Sequence, residues 1–168
     1  MSIRITYSKR SHNVQWKSGE IYSFSYSNWL NDPRPLCIFL NVLDGVHPTS
    51  GHTWKLFQMI NFHYIPRASR RKFANEWKEV YEKSKGNVKL TWDTVKVKYP
   101  FLKTAIRRYF FLPKHFITSV IHIPMENIDE VVVLSKAKDF SQRSRDAFLK
   151  RYKKLHGVER KHANRRQY

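Results

Sequence analysis

The sequence predicts an α+β protein in which an N-terminal set of antiparallel strands forms a small barrel and helices follow. Strand-like patterns fill the first 66 residues, a helical period begins after Pro66, and a basic segment closes the chain. A chain of 168 residues is long enough to bury one hydrophobic core, and no repeat or Gly/Ser-rich linker divides it. We therefore expect a single domain, 1–168, whose barrel core spans 1–66.

Four segments of the barrel core have strand patterns. "IRIT" from Ile3 and "GEIYSFSY" from Gly19 alternate, and in the second Tyr22 and Phe24 share a face opposite Ile21. "PLCIFLNVL" is a continuous apolar run before an Asp-Gly turn, which is typical of a strand covered on both sides. "TWKLFQMINFHYI" is rich in aromatic and branched residues, and it predicts a return strand that ends at Pro66.

Helical spacing predicts an insertion over 67–116. In "SRRKFANEWKEVYEKSKG", Phe73, Trp77 and Tyr81 recur on one helical face, Ser69 is placed to cap the helix and Gly86 to end it. A second segment, "TWDTVKVKYPFLKTAIRRYF", has Leu102, Ile106 and Tyr109 on one helical face, although "VKVKY" also alternates like a strand.

The last third of the chain predicts one more strand and a basic helix. "FITSVIHI" predicts a late strand within 117–135, and "SQRSRDAFLKRYKKLHG" has the apolar spacing of a helix within a tail at 136–168. That tail holds twelve lysines and arginines against three acidic residues, so close to half of the net charge lies there.

The charge balance of the whole chain predicts an anionic partner. Lysine and arginine total 32 against 13 acidic residues, which gives a net charge of +19, and a phosphate backbone would compensate it. A membrane is not expected, since no apolar run of about 18 residues and no signal-peptide pattern occurs. We expect a cytoplasmic protein, and we expect the single cysteine, Cys37, to be buried.

Clustered cations are the predicted nucleic-acid contacts. Four of them crowd the start of the first predicted helix, where the helix dipole disfavours positive charge, so they are expected to serve an external anion. Two more follow in the middle of the chain and six lie in the tail. The predicted phosphate contacts are Arg67, Arg70, Arg71, Lys72, Arg107, Arg108, Lys150, Arg151, Lys153, Lys154, Arg165 and Arg166.

Catalysis is not expected, although one sequence pattern is similar to that of a nuclease. His47, Pro48, Gly51 and Asn61 follow the order found in HNH-type nucleases, but Val46 precedes the histidine and Arg70 stands where a further metal ligand is needed. The carboxylates are scattered, and no glycine-rich phosphate loop occurs. The expectation is therefore no enzyme, no cofactor and no metal, with a metal-dependent nuclease as the second alternative.

Two runs resemble small basic proteins of large tailed, T4-like bacteriophages. They are "GEIYSFSYSNWLNDPRPLCIFLN" and "GHTWKLFQMINFHYIPRASRRKF", and a third run, "AIRRYFFLPKHFITSVIHIP", has a weaker similarity to the same proteins. The resemblance implies an SH3-like barrel and a role in phage DNA transactions or virion assembly. The leading hypothesis is a sequence-independent DNA-binding protein that handles, packages or protects phage DNA. Its first alternative is a structural virion protein that docks on an acidic protein surface.

Overall fold

The computed structural model describes residues 6–27, 32–46, 48–112, 116–129 and 131–132. Within these residues the strands are β1 (Thr6–Arg10), β2 (Ile21–Tyr26), β3 (Leu36–Val46), β4 (Thr53–Asn61), β5 (Ile106–Leu112) and β6 (Ile117–Ile123). The helices are α1 (Arg70–Lys83), α2 (Val88–Val95) and α3 (Leu102–Ala105). Short 3₁₀ turns lie at Ser11–Asn13, Phe62–Tyr64, Arg67–Ser69 and Met125–Asn127.

All six described strands join one sheet in the order β1-β6-β2-β3-β4-β5. Every pairing is antiparallel, and β6 inserts between β1 and β2. These elements confirm the predicted α+β class. Among the described strands β1 and β5 each pair on one side only, so the sheet is open in this part of the chain and the predicted SH3-like barrel is not confirmed.

Each face of the sheet carries its own hydrophobic core. On one face Ile21, Ile38 and Ile60 pack beneath the helices. On the other face Tyr22 and Phe24 join a largely aromatic core, which Trp16 and Phe116 partly cover. The alternation predicted for β2 is confirmed, and both of its faces are buried because each meets a core.

Helix α1 lies on the sheet through the apolar side predicted for it. Phe73 and Trp77 are fully buried, and the Trp77 indole Nε1 donates a hydrogen bond to the carbonyl oxygen of Gly19 at 3.0 Å. Gly19 has a φ of +88°, and a Cβ there would lie 2.2 Å from the Tyr81 ring, so this close approach of loop and helix requires glycine. Among the described residues no helix is long and apolar enough to span a membrane.

The structure corrects three predicted boundaries. The segment Ile106–Leu112, predicted to begin as helix, is strand β5, because it pairs with β4 along six positions. The predicted helical insertion therefore ends at Ala105 rather than continuing towards residue 116. Strand β4 ends at Asn61, and "FHY" after it forms a 3₁₀ turn instead of prolonging the strand. Residues 1–5 and the predicted tail helix lie outside the described residues.

Candidate nucleic-acid interface

The start of α1 presents a group of exposed cations. Arg71 and Lys72 occupy its first turn and are exposed, as is Arg67 in the preceding 3₁₀ turn. No acidic residue lies in that first turn, and Ser69 stands at the cap position without a side-chain hydrogen bond to the helix. Because the amino end of a helix already carries partial positive charge, this region attracts anions.

Arg70 does not belong to that exposed surface, which corrects its place among the predicted contacts. Its side chain is 2% exposed, and its Nε and Nη2 donate to the carbonyl oxygens of Ile65 and His63 at 3.0 and 3.3 Å. The guanidinium thus ties the turn after β4 to α1. A sequence signal for this existed, since Arg70 precedes Phe73, Ala74 and Trp77 at helical spacing and lies on their buried stripe.

Arg107 and Arg108 point to opposite faces of β5 because strand side chains alternate. The Arg107 guanidinium carbon lies 3.9 Å from the centre of the Tyr64 ring, a cation–π contact. Tyr64 is three residues before Arg67, so Arg107 lies beside the turn that leads into α1. Arg108 is exposed and stands opposite Gln58 of β4, on the face that bears the helices.

The remaining predicted contacts lie in the tail, outside the described residues. They account for half of the predicted set, and they stay predictions. These residues are Lys150, Arg151, Lys153, Lys154, Arg165 and Arg166.

Several lysines of the helical layer are neutralised by neighbouring carboxylates. Lys83 Nζ lies 2.7 Å from Glu79 Oε1, and Lys96 Nζ lies 2.8 Å from Asp93 Oδ1. The hydrogen bond from each lysine lowers the pKa of its carboxyl partner. In each pair the positive charge of the lysine is largely cancelled by the carboxylate beside it. Within the described residues Arg71 and Lys72 at the start of α1 form no such ion pair, and the nearest acid on the helix, Glu76, is hydrogen-bonded by Lys98 and Tyr99.

Asn61, the asparagine of the nuclease-like pattern, belongs to a buried polar cluster with Asp32 and His63. Asp32 Oδ2 accepts a hydrogen bond from Asn61 Nδ2 at 2.7 Å and lies 3.0 Å from His63 Nδ1. Asn61 Oδ1 accepts from the His63 backbone N–H at 2.9 Å, and Asn61 Nδ2 also donates to the Tyr109 hydroxyl at 2.8 Å. Burial of this region raises the pKa of Tyr109. The cluster fastens the loop before β3 to β4 and β5.

The side chain of Asn61 therefore has a structural role, because its hydrogen bonds join Asp32, Tyr109 and the backbone of His63. His47, the predicted general base, lies outside the described residues. Among the residues that the structure describes, no three histidine, cysteine, aspartate or glutamate side chains are grouped to hold a metal ion. Cys37 is buried as expected, and burial raises the pKa of its thiol.

One family model matches nearly the whole chain. It is described as phage T4 terminal DNA protecting protein, and it matches residues 3–155. No curated protein and no solved structure matches the chain. The match covers both phage-like runs of the sequence, the cations at the start of α1 and part of the basic tail.

Proposed function

The chain belongs to the phage T4 terminal DNA protecting protein family, and on that premise we propose that it binds the ends of phage DNA and shields them from exonucleases. The match over residues 3–155 is the observation that carries this proposal. It also confirms the expectation of a T4-like phage protein. The site of action would be the host cytoplasm or the virion.

Phosphate contacts would supply most of the affinity. The net charge of +19 and the exposed Arg71 and Lys72 at the start of α1 suit an anionic backbone. Arg67 extends this surface onto the turn before α1 and Arg108 onto the helix-bearing face of β5, while Arg107 lies on the opposite face beside Tyr64. The cations of the tail would add to the contacts. Because such contacts carry no sequence information, binding would be largely sequence-independent.

The protection would be passive, without cleavage of DNA. Support comes from Asn61 and His63, whose side chains are buried against Asp32 rather than facing a substrate. Incubating linear and circular DNA with Mg²⁺, Mn²⁺ or Zn²⁺ tests this part. Intact DNA in each metal is the expected result, and cleavage that His47→Ala abolishes would restore the nuclease alternative.

Binding as a function of salt tests the DNA-binding part. With about six phosphates engaged, the logarithm of the association constant falls against the logarithm of salt concentration with a slope of about −5. A blunt linear duplex is compared with a closed circle of the same sequence to separate end binding from internal binding. A flat salt dependence, together with stoichiometric capture by an acidic virion protein, would favour the structural alternative.

A further inference from the structure

A groove separates α2 from the helix-bearing face of β3, β4 and β5. Its volume is about 330 Å³, within the range of small-ligand pockets. Its apolar wall comes from the sheet and the helix, and polar groups open onto it from both sides. The lining residues are Ser18, Leu40, Asn41, Gln58, Val88, Lys89, Trp92 and Ile106.

A row of polar side chains crosses the three strands beside the groove. Asn41 pairs with Gln58, and Gln58 pairs with Arg108, so the three side chains share one face of the sheet. An irregularity in β3 creates the row, because the register shifts between Phe39 and Asn41. Without that extra residue, Leu40 would stand opposite Gln58 and the row would be apolar at this position.

The amide groups of this row are available to a ligand. In the part of the chain that the structure describes, neither the Asn41 nor the Gln58 side chain makes a hydrogen bond to protein, and Asn41 is exposed. Each amide offers a donor and an acceptor side by side. That pattern matches the hydrogen-bonding edge of a nucleobase.

Helix α2 adds an aromatic surface and a cation to the same groove. Trp92 is half-buried, and Lys89 lies three residues earlier on the same side of the helix. The nearby carboxylate of Asp93 is held by Lys96, and within the described residues Lys89 forms no ion pair. A flat ring, two amides and flanking cations at Lys89 and Arg108 are the groups that recognise a nucleotide.

We propose that this groove receives one unpaired nucleotide at the DNA terminus. The base packs on Trp92, its polar edge meets the amides of Asn41 and Gln58, and its phosphates lie towards Lys89 and Arg108. This inference rests on the proposed function and gives it an end-specific element, since the interior of a duplex offers no unpaired base. Stacking of one base on an aromatic side chain accounts for about a tenfold preference for an overhang.

The test compares two short duplexes that carry the same number of phosphates, one blunt and one with a three-nucleotide single-stranded overhang. The wild type is expected to bind the overhang duplex about tenfold more tightly. The double variant Asn41→Ala/Gln58→Ala is expected to lose this preference while keeping its affinity for the blunt duplex and its salt dependence. Asn75→Ala, an exposed asparagine on α1, is the matched control and should keep the preference.

A fluorescent base gives a second readout. 2-Aminopurine placed as the unpaired terminal base is expected to be quenched by the wild type and by the control, and to stay bright with Trp92→Leu. Circular dichroism and thermal unfolding show whether the Trp92 variant is folded. If it is not, the overhang preference of Asn41→Ala/Gln58→Ala decides the question instead. Tight blunt-duplex binding without an overhang preference would overturn this inference alone, whereas no binding to either duplex would overturn the proposed function.

Discussion

Replacing Arg71 and Lys72 by glutamine separates DNA binding from folding. Both side chains are exposed in the first turn of α1, which holds no acidic residue, and neither forms an ion pair within the described residues. Cations at the amino end of a helix oppose its dipole by about 0.3–1 kcal/mol each. Their removal should therefore raise the free energy of unfolding by about 0.6–2 kcal/mol, less about 0.2–0.5 kcal/mol for the lost attraction between Lys72 and Glu76. Weaker DNA binding by this variant would thus not reflect loss of structure.

The expected change in salt dependence follows from two lost phosphate contacts. Each contact contributes about −0.9 to the log–log slope, so the variant slope should be less steep by about 1.8. Between 50 and 200 mM salt, six contacts correspond to a loss of affinity of about 2,000-fold, and four contacts to about 150-fold. The two proteins should thus differ about twelvefold in their sensitivity to salt over that range.

Fluorescence anisotropy with a labelled blunt duplex, repeated over this salt range, measures the slope. The matched control is Lys83→Gln/Lys96→Gln, which removes the same charge from two lysines already paired with Glu79 and Asp93. The control slope should equal that of the wild type, because these lysines are neutralised locally. Equal changes in the two double variants would refute the reasoning, since they would show that only net charge matters.

Three further predictions concern the fold that supports this surface. Arg70→Met should lower the free energy of unfolding in urea by about 2–4 kcal/mol, because two buried carbonyl groups lose their donor. The salt dependence of its DNA binding should equal that of the wild type, and a weaker salt dependence would show that Arg70 contacts phosphate. Asn61→Leu should lower the free energy of unfolding by about 3 kcal/mol, because Asp32 and the Tyr109 hydroxyl lose the Asn61 donor. A stability equal to that of the wild type would show that the cluster does not stabilise the fold. Burial raises the pKa of Tyr22 from 10.0 to about 12. Between about pH 10 and 12 this hydroxyl therefore ionises in the unfolded chain but not in the folded one, and the free energy of unfolding should fall by about 2–3 kcal/mol over that range. Tyr22→Phe should reduce this fall, and a pH profile equal to that of the wild type would contradict the assignment.

Local patterns in the sequence were sufficient for the central strands and the first helix. Alternation in β2, the apolar run of β3 and the aromatic spacing of α1 each follow from burial against one or two faces. Gly86, with a φ of +79°, follows the end of α1 as its position predicted. These features depend on contacts that repeat with the local period, so the sequence expresses them directly.

Features set by distant contacts were not predictable in the same way. Ile106 and Tyr109 fit a helical period, yet pairing with β4 makes their segment a strand. The polar row of Asn41, Gln58 and Arg108 depends on a register shift that a continuous apolar run does not reveal. Arg70 differs from these features, because its helical spacing from Phe73 and Trp77 indicates its buried position from the sequence.

Exonuclease digestion of linear duplex DNA tests the central claim most directly. Blunt DNA is preincubated with the protein at a fixed ratio of protein to ends, and the release of nucleotides is followed over time. The wild type is expected to slow digestion in proportion to the ends occupied. Arg71→Gln/Lys72→Gln should protect less, and Lys83→Gln/Lys96→Gln should protect as well as the wild type. Cutting of a closed circle by an endonuclease should be unaffected at the same ratio. Digestion of linear DNA at the rate seen without protein, under low-salt conditions in which the protein binds DNA, would contradict the claim.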